Sequence, residues 1–501
     1  MLKKKMRRAA SLALAGTMVL SLAACGGKEE EENKNTPVPT QATQPGGDDK
    51  QPGNDDKQPD GDNDQQGDNP ENPVAVNAVE PHQGSTPRTI RIGTWYDHYY
   101  DSTHDDIYDN PEVTNPETSL MQLENVRRIE KKYNIRIEYV NLTWDGIMES
   151  INTSILSGTP DCDVYEVDLQ FGIPAVLNGY AAALEDIVPK TDDIFTDQIV
   201  FKYLQTPGSD KSYLFTGNAL NCGAYPLGFN KTMLDEANLE NPQDLYDRGE
   251  WTWEKFREYC RILTKDTDGD NNIDQWGYSG WWSTMLDNLL MSNGAHIAGG
   301  KTEELSSPAT IEALDFMYQL YQGDKTAKPW NGDDWDINTS VYTTGTVGFW
   351  TTATWVQNNF GLSSDVGFEI GIVPWPIGPH GNQETNSQIA VSGNWMMIPL
   401  GVERPELVYE VLKEYTNWYN GDLEYRDETE WHEDKVETER NFEYIKMMGQ
   451  TMPWFDFWAK IKELEAGQRM VGMYVDQIMT AAQVAEQYKQ IVQDYLDLYL
   501  N

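Results

Sequence analysis

The residues of this 501-residue chain that could do chemistry are aromatic rings set beside carboxylates and amides. Trp95-Tyr96-Asp97 follows one alternating apolar segment, and Asp168 follows another. Tyr225, Trp281, Trp282, Trp355 and Trp395, with the amides of Asn230 and Asn394, fall at expected strand ends and turns. Such a mixture suits a sugar. Rings cover its C–H faces, carboxylates and amides satisfy its hydroxyls, and aromatic side chains lose little entropy on contact. Each group also has a plainer role: Asp caps helices and Trp fills cores. Trp251 and Trp253, at a helix start, are expected to pack rather than bind.

A second constellation is acidic. Asp266, Asp268, Asp270, Asn272 and Asp274 alternate through a short loop. Carboxylates this dense repel one another unless a hard cation gathers them, and Asp at positions 1, 3 and 5 with Ile273 at position 8 matches the front half of an EF-hand loop. Two features depart from it: position 6 is Asn271 rather than Gly, and position 12 is Gly277 rather than Glu. The expectation is a structural Ca²⁺ site, set against a solvated turn. No other cofactor is expected.

Other chemistries are poorly served. The six histidines show no zinc spacing, and Gly277-Tyr278-Ser279-Gly280 misses the nucleophile-elbow pattern. No phosphate-binding G-x-x-x-x-G-K-[ST] loop occurs. A formal charge of −43 argues against nucleic-acid binding, which demands Lys and Arg. Beyond Cys25, Cys162, Cys222 and Cys260 are far apart and odd in number; buried free thiols are expected, with pairing left open. Carboxylate pairs are inevitable among 81 acidic residues, so a surface glycoside hydrolase stays an alternative to a binding protein without catalysis.

The elements that would position these groups alternate. Thr89–Trp95, Ile135–Val140 and Asp163–Val167 read as strands. Leu120, Leu123, Val126, Ile129 and Tyr133 mark a helix between the first two, and a second helix runs around Ile147–Leu156. That order predicts an α/β fold with a mostly parallel sheet flanked by helices, whose ligands collect beyond the carboxyl ends of the strands. Ser307-Pro308, Glu406 to Tyr419 and Gln483 to Leu500 predict further helices.

Ahead of this region stand Lys3, Lys4, Lys5, Arg7 and Arg8, then an apolar run from Ala9 to Leu20. The run is shorter than the roughly 20 residues a spanning helix needs, so residues 1–24 read as a signal peptide. Leu22-Ala23-Ala24-Cys25-Gly26 is similar to the lipobox of bacterial lipoproteins, which implies cleavage before Cys25 and a lipid anchor there. Residues 25–87 are dominated by Asp, Gln, Pro, Gly and Asn and cannot bury enough apolar surface to order themselves. As a flexible coil this tether spans about 40–45 Å.

Several segments together resemble the extracellular solute-binding proteins of family 1, the sugar-binding receptors of ABC importers that include the maltose-binding type. Trp251-Thr252-Trp253-Glu254-Lys255-Phe256, the acidic loop and Trp276-Gly277-Tyr278 carry most of the likeness. Gly228-Phe229-Asn230-Lys231, Gly345 to Trp350 with Trp355, and Pro374-Trp375-Pro376 add to it. The likeness weakens between Glu424 and Glu443, where Asp, Glu, Trp and His cluster as an insertion. It implies a periplasmic-binding-protein-like fold of type II, with two lobes joined by a hinge. The implied crossings lie near Lys202–Leu204, Ser392–Trp395 and Gly449–Met452, so residues 88–202 and 393–450 form lobe 1, and 203–392 and 451–501 form lobe 2. It also implies a monomeric, membrane-anchored receptor on the extracytoplasmic face that passes its ligand to permease subunits, or one that senses the ligand without transport.

Overall fold

The computed structural model describes residues 79–500 apart from 112, 114, 199, 218–225, 330–336, 354–359, 384–392, 431–434, 450–453, 462–463 and 465–478. Cys25, nearly all of the acidic tether, Cys222, Tyr225, Trp355 and the expected crossing at 449–452 therefore lie mostly or wholly outside the described residues. So does the start of the crossing at 392–395. Among the described residues no helix is long and apolar enough to cross a membrane.

The first sheet has six strands. β1 (Arg88–Thr94), β2 (Ile135–Asn141) and β3 (Val164–Val167) are parallel, with β1 in the middle. They are linked by α1 (Pro116–Tyr133) and α2 (Trp144–Ser154). Asn115 caps α1, accepting from the N–H groups of Glu117 and Thr118, and Asn134 closes it in the left-handed region at φ 52°. β4 (Lys202–Gln205) and β5 (Ser212–Thr216) form an antiparallel hairpin on the far side of the same sheet.

The second sheet contains β6 (Leu227–Asn230), β7 (Trp276–Ser279), β8 (Val347–Thr351) and β9 (Ile370–Val373) in the order β9-β6-β8-β7. Only β8 and β7 run parallel. Strand β10 (Trp395–Met397) returns to the first sheet and lies antiparallel between β3 and β5, giving the order β2-β1-β3-β10-β5-β4. The α/β architecture of two sheets flanked by helices agrees with expectation. The parallel part is narrower, because the hairpin and the returning strand make the first sheet mixed.

Side chains fix which segments follow which sheet. Helix Pro405–Thr416 lies against α1, where Asn125 Nδ2 donates to the carbonyls of Glu414 and Tyr415 at 3.0 and 3.2 Å. Helix Glu439–Gly449 instead packs on β9: Asn441 accepts from Ile372 N at 3.1 Å and donates to Ile370 O at 2.7 Å. The chain thus stays with the first sheet through Thr216, with Lys202–Gln205 a strand of that sheet. It has returned to the second sheet by Glu437, whose carboxylate accepts from Ser363 N at 2.6 Å. That return falls within the expected insertion, before the expected boundary at 450.

Trp251 and Trp253 pack as expected. The Trp251 indole donates to Pro374 O at 3.1 Å, and that of Trp253 to Ser292 Oγ at 3.0 Å. Gly277 is required by a close approach: a Cβ there would meet Cys260 O at 2.4 Å. Cys162 and Cys260 are buried free thiols. One apolar cluster runs from Ile147 and Val167 through Trp395 to Leu289 and Phe349, joining the helices of both sheets.

Candidate functional site

The carboxyl ends of β1, β2 and β3 bring together Tyr96, Asp97, Asn141, Glu166 and Asp168. Glu166 is the least expected of these. It sits in β3 opposite Met396, is 7% exposed, and accepts a hydrogen bond from the Tyr96 hydroxyl at 2.8 Å. Burial pushes its carboxyl up to about 7, with the Tyr96 hydroxyl pulling the other way. Asn394 Nδ2 donates to the same Tyr96 oxygen at 3.4 Å. Three elements therefore fix one phenol: the loop after β1, strand β3 and the residue before β10.

Trp95 is half-buried and meets Tyr96 and Trp144 edge-on, with ring centroids 5.7 and 5.4 Å apart. Asp97 is exposed and accepts from Asn141 Nδ2 at 2.9 Å. Asp168 is buried and caps helix Leu169–Leu177 through a 2.9 Å bond from Gln170 N. Asn230 is likewise a cap, accepting from Met233 N at 2.9 Å.

A buried charge cluster lies close by. Lys460 Nζ is 2.5 Å from Asp287 Oδ2, and both side chains are almost fully enclosed. Asp287 stands on helix Trp282–Ser292, and Lys460 ends the short turn Phe457–Lys460, which packs against helix Leu169–Leu177. Burial raises the Asp287 carboxyl, Lys460 opposes the rise, and the charges of Asp456 and Asp168 add to it. Asp456 caps the turn at Trp458 N (3.1 Å) and accepts from Ile297 N at 2.5 Å. His296 Nδ1 lies 3.6 Å from Asp456, and the nearby carboxylate raises the imidazole.

The remaining aromatic candidates lie in the core. Trp281 packs in a cluster with Val347, Trp350 and Phe368 on the second sheet. Trp282 is buried with its ring edge-on to Tyr321 at 6.4 Å. Trp395 is fully buried within β10, edge-on to Phe455 at 6.1 Å. None of the three offers an open ring face. Residue type could not separate them from platform rings, since a Trp at a strand end has the same sequence signature in either role. Glu166 stands at an expected strand end, but an acid within an apolar strand gives no periodic signal that would single it out.

In the acidic loop, carboxylate oxygens of Asp266, Asp268, Asp270 and Asp274 lie within 4.8 Å of one another. Asp266 accepts from Gly269 N and Asn271 N at 2.6 and 2.8 Å, while Asn271 takes a positive φ of 69° in place of the usual glycine. Asn272 stands in the same loop, its Nδ2 donating to Asp270 Oδ2 at 2.8 Å. Gly277 lies in β7, so no glutamate closes the loop.

A family model described as bacterial extracellular solute-binding protein matches residues 114–419. This chain belongs to that family. No curated protein matches this solute-binding protein. Among solved structures, it is similar to an ABC substrate-binding protein from Listeria monocytogenes in complex with cycloalternan. That match has 16% identity and TM-score 0.56, covering 82% of this chain and 99% of the other. The maltose/maltodextrin-binding domain MalE from Bdellovibrio bacteriovorus, bound to maltotriose, matches with 14% identity and TM-score 0.54 over 82% and 99%. UgpB from Mycobacterium tuberculosis, in complex with glycerophosphocholine, has 16% identity and TM-score 0.56 over 83% and 100%. These likenesses establish the two-lobed fold.

Proposed function

We propose that this solute-binding protein is a lipid-anchored receptor that captures a sugar or oligosaccharide between its lobes and delivers it to the permease of an ABC importer. The observation that carries the reading is the Tyr96–Glu166–Asn394 arrangement. A phenol fixed at the carboxyl end of the first sheet, beside the half-buried Trp95 and the exposed Asp97 carboxylate, is a surface of ring faces and hydroxyl partners. The sugars bound by two of the similar structures support the ligand class. The buried Asp287–Lys460 pair lies close enough for the Asp168 charge to act on it, which brings a carboxylate at the end of the first sheet near polar groups from later segments of the chain. Closure is a hinge motion stabilised by contacts to both lobes.

The anchor is lipid on Cys25, with the acidic tether letting a monomeric receptor sample the space above its permease. One acyl chain holds only marginally, and the diacylglycerol a lipobox implies supplies the second. The acidic loop is proposed to hold a structural Ca²⁺ on its four convergent carboxylates, with no catalytic part.

Isothermal titration of the purified protein against a panel of oligosaccharides, with product analysis of each mixture, tests the receptor reading. Saturable binding without bond cleavage supports it. Cleavage, or an absence of binding across the panel, overturns it.

A further inference from the structure

We propose that Trp144, with Asp97 and Asn141, forms an outer subsite that takes one additional hexopyranose unit of an oligosaccharide; this rests on the carbohydrate reading above. Trp144 opens α2 and is 42% exposed, yet its ring is held on two sides. The Trp95 ring meets it at 5.4 Å and 86°, and the Phe171 ring at 4.5 Å and 65°. Phe171 is buried and Trp95 packs on the core, so the grip on Trp144 is anchored. An exposed indole that is also immobilised keeps its hydration cost without the freedom that usually accompanies exposure. It has already lost the entropy that stacking on a sugar face would otherwise take from it.

The polar edge of the subsite comes from Asp97, two residues after Trp95, and Asn141, three residues before Trp144. Asn141 Nδ2 donates to Asp97 Oδ1 at 2.9 Å, and Asn141 Oδ1 accepts from Thr143 N at 3.0 Å. Asp97 Oδ2 and one amide hydrogen of Asn141 make no bond among the described residues, which leaves one acceptor and one donor for hydroxyls. Thr143, between amide and ring, has φ 65° and ψ 165°, a conformation β-branched residues seldom adopt. Its hydroxyl caps α2 at Gly146 N (3.3 Å), so the bend is fixed by bonds on both sides. The bend lies between Asn141, at the end of β2, and Trp144, at the start of α2, whose ring meets the Trp95 ring two residues before Asp97. Backbone strain of this kind gathers where a binding surface needs a particular side-chain placement. Trp144 and Asn141 are exposed whereas Glu166 and Asp168 are buried, which makes the subsite outer and its occupant an additional unit rather than the first.

The test is isothermal titration of the full chain with gluco-, xylo-, manno- and galacto-oligosaccharide ladders of one to six units. Wild type should bind longer members of one ladder more tightly than the shortest member it binds. Trp144→Ala should remove about tenfold of that gain and leave the shortest member unchanged, with Trp144→Phe retaining most of it. Asn141→Ala should also reduce the gain, since it removes the amide donor and one of the two bonds that fix the bend at Thr143. Identical ladders for wild type and Trp144→Ala, both binding, would overturn the subsite alone. Wild-type binding to no ladder overturns the carbohydrate reading and the subsite with it.

Discussion

The Tyr96 hydroxyl donates to Glu166 Oε1 across 2.8 Å, joining the loop after the first strand to a carboxylate buried in the third. Because burial holds that acid up to about 7 from its ordinary 4.5, the folded protein binds its proton more tightly than the unfolded chain. Stability from this group is full below about pH 4.5 and is lost as pH rises to about 7, about 3 kcal/mol in all. His98, stacked on Tyr139 at 3.8 Å and pushed down to about 4 by burial, acts with the opposite sign, losing stability as pH falls from 6.5. The two slopes oppose each other across pH 4.5–6.5. Urea unfolding of Glu166→Gln should therefore show stability dropping toward acid more steeply than in wild type. A pH curve unchanged by the substitution would refute the assignment.

Removing one partner of the Lys460–Asp287 pair leaves a buried charge. Lys460→Met should cost about 3–5 kcal/mol by denaturant unfolding. The double variant Lys460→Met with Asp287→Leu should recover most of that, since the uncompensated carboxylate is gone. Equal instability of single and double variants would show that packing, and not charge, sets the cost.

Asp168 caps a helix and is a candidate ligand contact, and two substitutions separate these roles. Asp168→Asn keeps a capping oxygen and should leave the unfolding midpoint close to wild type. Asp168→Ala should cost about 1 kcal/mol. If the carboxylate also contacts ligand, Asn weakens sugar affinity as much as Ala does. Affinity unchanged in both variants would confine Asp168 to the cap.

Millimolar Ca²⁺ should raise the thermal midpoint by on the order of a few degrees, and chelator should reverse it. Asp266→Asn with Asp270→Asn should abolish the response, because those carboxylates carry half of the convergent charge. Identical midpoints in Ca²⁺ and in chelator would make the loop a solvated turn.

The local elements were readable because their signals are local. Ser307 caps helix Pro308–Tyr318 at Thr310 N, and the 3.6-residue rhythm of Leu123, Val126, Ile129 and Tyr133 became the buried face of α1. What escaped reading is set by long-range pairing. The hairpin of Lys202–Gln205 with Ser212–Thr216 is one such pairing, since nothing in those four residues announces a partner. Trp395 looked like a platform, yet its strand is enclosed by β3 and β5 and its ring is buried. Glu166 and Trp144 gained their roles from Tyr96 and Phe171, neighbours that only the folded sheet supplies.

Strand β10 also bears on how the chain folds. Its three residues fill the gap between β3 and β5, so the first sheet stays in two unconnected halves until residue 397 is available. Up to that point β3 and β5 each present an unpaired edge, and the closing contacts span some 180–230 residues of sequence. Closure over such separations is slow, and each open edge invites pairing with other chains. A nascent polypeptide of this design cannot finish its amino-terminal lobe early. That lobe is left incomplete until residues 395–397, which close the gap between β3 and β5, have been made.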